Sequence, residues 1–323
     1  ALGIFLQQVS TAKFQQAFVR LTERFEPLQA AIQVNGGDRH NQHYLAYGSA
    51  FAAALPLRDF SAEADALGAA RRWMEKQVAR PFDPASPLCD SALLKLNDDQ
   101  VIWFINQHHL VTDAWSCRLL LQAMDEEYHN LVTGGAPLPA LPQQAASPAA
   151  DNKGVAQVEE ARDYWREIYA SIPVQGGFFN RSSDPRRTDS SRVRFTLDQG
   201  RVAQLQAVAG QHFPALTAQI SLFAAFGALL VALVSRLAYR QRVGFDTPAL
   251  NRTSAGDRAT PGLFIELFPF AAQLEADTSF VDIGRQLLGL IPGFVKHGRP
   301  GASLPGTNGA CDTLLNFIPF SLG

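Results

Sequence analysis

The sequence predicts a mixed α/β protein of two lobes. Three patterns carry that reading: apolar stripes at helical spacing, a β-hairpin running directly into a long helix, and a proline-rich connection near mid-chain. With 323 residues, 47% of them hydrophobic, the chain has material for two cores of ordinary domain size. The formal net charge of -2 mixes both signs along the chain, with no basic stripe for phosphates and no acidic tail, so nucleic acid is not an expected partner.

Taken in order, Ser10 is a plausible N-cap for a first helix in which Phe14, Phe18, Leu21 and Phe25 form one apolar stripe, with Pro27 near its end. A second helical pattern follows Ser61. It places Leu67, Ala70, Met74 and Val78 on one face, offers Arg71, Arg72, Glu75 and Lys76 to water, and closes at Pro81. Residues 92–96 and 101–105, separated by Asn97-Asp98-Asp99-Gln100, read as a hairpin. His108-His109-Leu110-Val111-Thr112-Asp113-Ala114-Trp115-Ser116 follows at once, then a long helix through Leu120, Met124, Tyr128 and Leu131.

Between residues 134 and 154, Pro137, Pro139, Pro142 and Pro148 block regular structure, which sets the lobes at 1–150 and 151–323. The second half predicts a helix around 161–169, a polar loop at 181–190, a strand at 192–197, and helices near 202–208 and 216–237. The longest apolar run, 223–234, falls short of the roughly 18–20 residues that span a bilayer and reads as a buried helix, so no membrane is expected. The first ten residues have no basic segment ahead of apolar ones and do not read as a signal peptide. Cys89, Cys117 and Cys311 lack the spacing of a zinc site and the density of a disulfide scaffold, which predicts a reducing, cytoplasmic setting.

A histidine between a strand and a helix sits where a substrate can reach its ring, and imidazole with an ordinary pKa of about 6.5 moves protons near neutral pH. Two adjacent histidines can equally well cap a strand, and position alone does not choose. Asp113, just before a helical run, reads by itself as an N-cap rather than a catalytic acid. Trp115 reads as packing and Ser116 as a first-turn residue; no G-x-S-x-G elbow surrounds any serine, which disfavours a serine hydrolase. A metal site on His108, His109 and Asp113 lacks a further ligand, so no metal is expected.

His108-His109-x-x-x-Asp113-Ala114-x-Ser116 resembles the H-H-x-x-x-D-G signature of the condensation domains of nonribosomal peptide synthetases. Around it, Glu23-Arg24-Phe25-Glu26-Pro27-Leu28 resembles that family's R-H-E-x-L segment, and Arg80-Pro81-Phe82-Asp83 with Pro87-Leu88 its P-F-D-x-x-x-x-P-L stretch. Tyr164-Trp165, Val243-Gly244-Phe245-Asp246-Thr247-Pro248 with Asn251-Arg252, and Pro261-Gly262-Leu263-Phe264 are similar to further family segments. The resemblance runs over nearly the whole chain.

It implies two lobes, each like chloramphenicol acetyltransferase, in a V-shaped pseudo-dimer around a tunnel. It also implies that substrates arrive on the phosphopantetheine arms of acyl or peptidyl carrier proteins within neighbouring synthetase modules, so that no cofactor is bound by this chain. His109 would deprotonate or position the acceptor nucleophile, with His108 and Asp113 completing the catalytic set; Asp113 would pair with Arg252, and Ala114 and Ser116 would support the site. Trp115, Glu266 and Asn316 are tunnel candidates.

Three departures from the family pattern stand out. Ala114 replaces the usual glycine, which removes freedom for a positive φ and crowds a neighbouring oxyanion. Glu266 stands where asparagine is common and reads as a solvated residue before an acid or base. The family pattern continues past Asn316-Phe317-Ile318-Pro319, so the C-terminal lobe is expected to be incomplete. The implied reaction is acyl transfer giving an amide or ester. An epimerization domain, favoured by Ser116-Cys117-Arg118 and Leu267-Phe268-Pro269, and a non-catalytic docking module share the fold and are the alternatives.

Overall fold

The computed structural model describes residues 1–35, 42–48, 54–83, 86–136, 138–142, 152–172, 191–252, 254–303, 311 and 313–318. The polar loop expected at 181–190, and residues 137 and 143–151 of the proline-rich connection, lie outside them. The chain divides into two compact units, one holding Ala1–Ala145 together with Arg252–Phe264, the other Ala146–Asn251 and Ile265–Ser321. The segment Arg252–Phe264, expected in the second lobe, therefore belongs with the first.

In the first unit the chain enters as strand β1, Leu2–Gln7, then forms helix α1, Thr11–Arg24, capped by the Ser10 side chain. Pro27 falls in a short 3-10 turn, Glu26–Gln29, whose first positions tolerate the missing N–H. Strands β2, Ala30–Asn35, and β3, Gln42–Tyr47, pair antiparallel as a separate ribbon. After β4, Leu57–Asp59, comes α2, Ala66–Val78. Its cap is Asp65, whose Oδ1 accepts from the Gly68 amide at 2.9 Å. The expected hairpin is β5, Cys89–Lys95, with β6, Gln100–Gln107, followed by α3, Ala114–Thr133.

These strands form a sheet in the order β1-β6-β5-β4, with only the β4–β5 pair parallel. The two-residue period of β6 divides the core. Val101, Trp103 and Ile105 meet α1 and α3 through Phe14, Phe18, Leu21, Leu120 and Met124, while Ile102 and Phe104 meet α2 through Ala70. Arg24 of α1 pairs with the buried Glu127 of α3, a link between the two helices on that face.

The second unit packs helices against a two-stranded ribbon. α4, Asn152–Ser171, α5, Gln199–His212, and α6, Ala218–Ala238, precede antiparallel strands β7, Arg242–Ala249, and β8, Glu266–Gln273, and a last helix, Phe280–His297. Leu314 bridges in parallel to Asp246 beside β7. α6 falls on the helix expected near 216–237. An 18-residue stretch within it has a mean hydropathy of 2.1, long and apolar enough to cross a membrane; here Ala228, Val231 and Val234 pack in a core with Phe245, Phe270 and Leu287. No strand forms at 192–197, where the chain has no regular structure and is exposed, with Phe195 at 85% and Val193 at 75%. Alternating apolar residues signal a strand only when a neighbouring strand and a core take them up.

His297 closes the last helix. Its ring is buried and stacked on Tyr164 at 4.3 Å, and its carbonyl accepts the Trp165 indole N–H at 2.8 Å. Burial pulls the imidazole pKa down, Lys296 and Arg299 act in the same direction, and Glu160 opposes them. The unfolded chain therefore takes up a proton more readily than the folded one. This contribution to stability is present above the ordinary imidazole value of about 6.5 and is lost as pH falls through it toward the lowered folded value. Thermal melts between about pH 7.5 and 5 should show His297→Phe losing less stability on acidification than the parent; parallel curves would contradict this assignment.

Candidate active site

The site grows out of the end of β6. The His108 amide donates to the Leu88 carbonyl at 2.8 Å and the Val111 amide to the His108 carbonyl at 3.1 Å, which folds residues 108–111 into a tight turn. Val111 is buried with Ala30 and Leu88, so the turn is pinned by an apolar anchor as well as by hydrogen bonds. Asp113 then takes an extended backbone, φ -128, and its Oδ1 accepts from the Ser116 amide at 2.8 Å, capping α3. A cap of this kind is worth about 1 kcal/mol.

Asp113 does more than cap. Both its oxygens accept from Arg252 Nη2, at 3.2 and 3.1 Å, and Oδ2 also accepts from the Phe264 amide at 3.1 Å. Arg252 Nη2 further reaches Ser116 Oγ at 2.9 Å and the Gly262 carbonyl at 3.0 Å, while Nη1 donates to the carbonyls of Asp257 and Thr260. Its guanidinium lies 4.1 Å from the Phe264 ring centroid. Asn251, left-handed with φ 50, turns the chain immediately before this arginine. Both charged side chains are essentially excluded from water, at 2% and 0% exposure. Burial lowers the guanidinium pKa, and the Asp113 charge opposes that shift. The pair ties Arg252–Phe264 to the junction of β6 and α3.

Ser116 completes the knot, its Oγ donating to the Gly262 carbonyl at 2.6 Å and accepting from the Gly262 amide at 2.9 Å. Trp115, expected in a tunnel, donates its indole N–H to the Arg258 carbonyl at 2.8 Å and stacks with Arg118, so it too holds this segment. His108, placed in the catalytic set by the resemblance, is used locally: its Nδ1 accepts from the Leu110 amide at 3.1 Å and its ring stands edge-on to Phe82.

What remains is His109, exposed on the rim of a cavity of about 170 Å³ whose wall includes Gln107, Thr112, Asp113, Ala114 and Cys117. Such a volume takes about five water molecules, or the end of a slender chain. Ala114 sits at the first position of α3 and not at a positive φ, so the conformational freedom of glycine is not needed there; its methyl simply adds to the wall. Burial raises the Cys117 thiol pKa, which keeps it protonated and unreactive near neutral pH.

Two of the tunnel candidates lie in the second unit. Glu266 is not a solvated carboxylate: its oxygens accept from the amides of Gly301 and Ser303, pinning a loop. Asn316 is exposed in the extended segment after Leu314. Among the described residues no three His, Cys, Asp or Glu side chains converge to hold a metal. The contributions of Gly262 and Phe264 to the knot, and of Gln107 and Cys117 to the pocket, had not been read from the sequence. For Gln107 a signal existed, the two-residue alternation that carries the face of β6 from Trp103 and Ile105 to Gln107 at the end of the strand.

An α/β frame that immobilises a strand-to-helix turn and leaves one imidazole exposed at a small pocket is an arrangement suited to proton transfer by that imidazole. Comparison with known proteins gives the family. The condensation-domain family model matches residues 4–297, and the chain belongs to that family. It is 30% identical over 294 residues to phosphinothricin tripeptide synthetase PhsC of Streptomyces viridochromogenes, covering 86% of this chain and 26% of that protein. It is 24% identical over 255 residues to the dimodular nonribosomal peptide synthase of Bacillus subtilis, covering 76% of this chain and 10% of that one. The chain thus spans about a quarter or less of these synthetases.

Among solved structures, the first condensation domain of the calcium-dependent antibiotic synthetase superposes with a TM-score of 0.75 at 21% identity, covering 99% of this chain and 77% of that one. The condensation enzyme VibH gives 0.67 at 18%, covering 92% and 67%. Condensation domains are acyltransferases that form amide bonds, and they work beside carrier-protein domains in peptide synthetases.

Proposed function

We propose that this chain transfers an acyl or peptidyl group from the phosphopantetheine thioester of a donor carrier protein to an amine or hydroxyl acceptor, within a cytoplasmic peptide or mixed polyketide-peptide synthetase. The observation that carries this reading is His109, exposed at a pocket on a turn that Asp113 and Arg252 hold from behind. The acceptor nitrogen or oxygen attacks the thioester carbonyl carbon, the carbon–sulfur bond breaks, and the thiolate leaves. His109 accepts the proton released by the nucleophile and returns it to the leaving sulfur, so charge balances without a bound cofactor. The Asp113–Arg252 pair acts indirectly, by fixing the turn.

The test supplies the full synthetase module with an acyl-loaded donor carrier and with amine and alcohol acceptors in deuterated solvent, and follows products by mass spectrometry. An amide or ester product is the expected result. Deuterium entering the α-position of an aminoacyl carrier without condensation would mean epimerization, and neither signal would mean a docking role; either outcome contradicts the proposal.

A further inference from the structure

The face of β6 that packs on α1 and α3 is apolar through Val101, Trp103 and Ile105, and alternation brings Gln107 to the same side, one step before His109. Gln107 and His109 line the same cavity. A primary amide that ends an apolar row needs partners, because an unpaired buried donor is costly. Only half of this amide has one. Oε1 accepts from the Cys117 thiol at 3.9 Å, and Cys117 lies 3.8 Å from Thr112 Oγ1. Nε2 is buried and has no hydrogen-bond partner among the described residues.

We infer that the Gln107 side-chain amide is a substrate-positioning donor, held by Cys117 and reserved for the carbonyl oxygen of the acyl group that reacts beside His109. The inference rests on the acyl-transfer reading and deepens it. A carbonyl oxygen fits because it accepts one N–H in a narrow cavity without bringing a charge of its own. Under attack by the acceptor that oxygen gains negative charge, so the same hydrogen bond strengthens as the carbon–sulfur bond breaks. An amide donor on the last residue of β6 and an imidazole in the turn that follows, both at one cavity, would then serve the carbonyl and the nucleophile respectively.

Structural and substrate roles for Gln107 separate cleanly. If the amide serves only the fold, replacing it by an apolar isostere removes a hydrogen bond and destabilises the protein. If Nε2 awaits substrate, Gln107→Leu leaves the melting temperature unchanged or raises it, because an unsatisfied donor has been removed. The experiment uses the full synthetase module, as parent, Gln107→Leu and Gln107→Glu. It measures thermal melting, the Kd of an acyl-pantetheine amide, which keeps the carbonyl but has no leaving thiolate, and kcat and KM for condensation.

The expected result is a Kd weaker by about three- to tenfold and a kcat lower by about tenfold or more in both variants, with Gln107→Leu melting no lower than the parent. An unchanged Kd, no binding of the probe by the parent, or a Gln107→Leu loss matched by a lower melting temperature would each overturn the assignment. Binding that depends on Gln107 in a module that forms no condensed product would instead count against acyl transfer and leave the donor site standing.

Discussion

Removing either member of the Asp113–Arg252 pair is expected to cost about 3–5 kcal/mol, because the survivor remains as an uncompensated charge in the interior. Arg252→Met keeps most of the side-chain volume yet leaves Asp113 with the amides of Ser116 and Phe264 alone among the described residues. Asp113→Ala removes the cap of α3 as well and leaves the guanidinium facing the carbonyls of Asp257, Thr260 and Gly262. The double variant should lose less than the sum of the singles, since it strands no charge, with a coupling of roughly 1–3 kcal/mol. In urea, the midpoint of the first unit should fall by an amount on the order of 1–3 M for each single change. Trp103 reports on that unit and Trp165 on the other. Single variants within about 1 kcal/mol of the parent, or fully additive losses, would contradict the reading of the pair as a clamp.

Local periodicity was enough to read α1, the β5–β6 hairpin and α3, because each carries its pattern within one short window and each buries it against a core. β1 was missed: burial alternates strictly along Leu2–Gln7, but the exposed face carries Phe5, so the two-residue rhythm does not show as an apolar/polar alternation in the sequence. β4 is three residues long and exists only by pairing with β5. The opposite error arose at 192–197, where a good strand pattern has no sheet among the described residues. The double-histidine turn was visible in the sequence, but the two rings could not be told apart there. Their difference comes from the turn itself, which gives His108 the Leu110 amide and Phe82 while His109 meets the cavity. Asp113 read as a cap from position and as half of an ion pair only through the family resemblance. The carbonyls that the two terminal nitrogens of Arg252 reach are backbone groups about ten residues or fewer away in the chain, and no side-chain motif announces them.

His109→Ala carries the second large effect. General acid–base assistance is worth about 10²–10⁴-fold in rate, and an exposed side chain at the pocket rim makes few packing contacts, so the loss of rate should come with little loss of stability. His108→Ala should differ in kind, its damage arising from the edge-on contact with Phe82 and the bond from Leu110 and therefore appearing in thermal melting as well as in rate.

The most direct measurement is the single-turnover rate of acyl transfer from a preloaded donor carrier, compared between the full module and its His109→Ala variant at matched, verified folding. The account predicts a fall of about 10²-fold or more with an unchanged melting temperature. A variant that transfers within a few-fold of the parent rate would show that the exposed imidazole does not move the proton, and the central claim would fail.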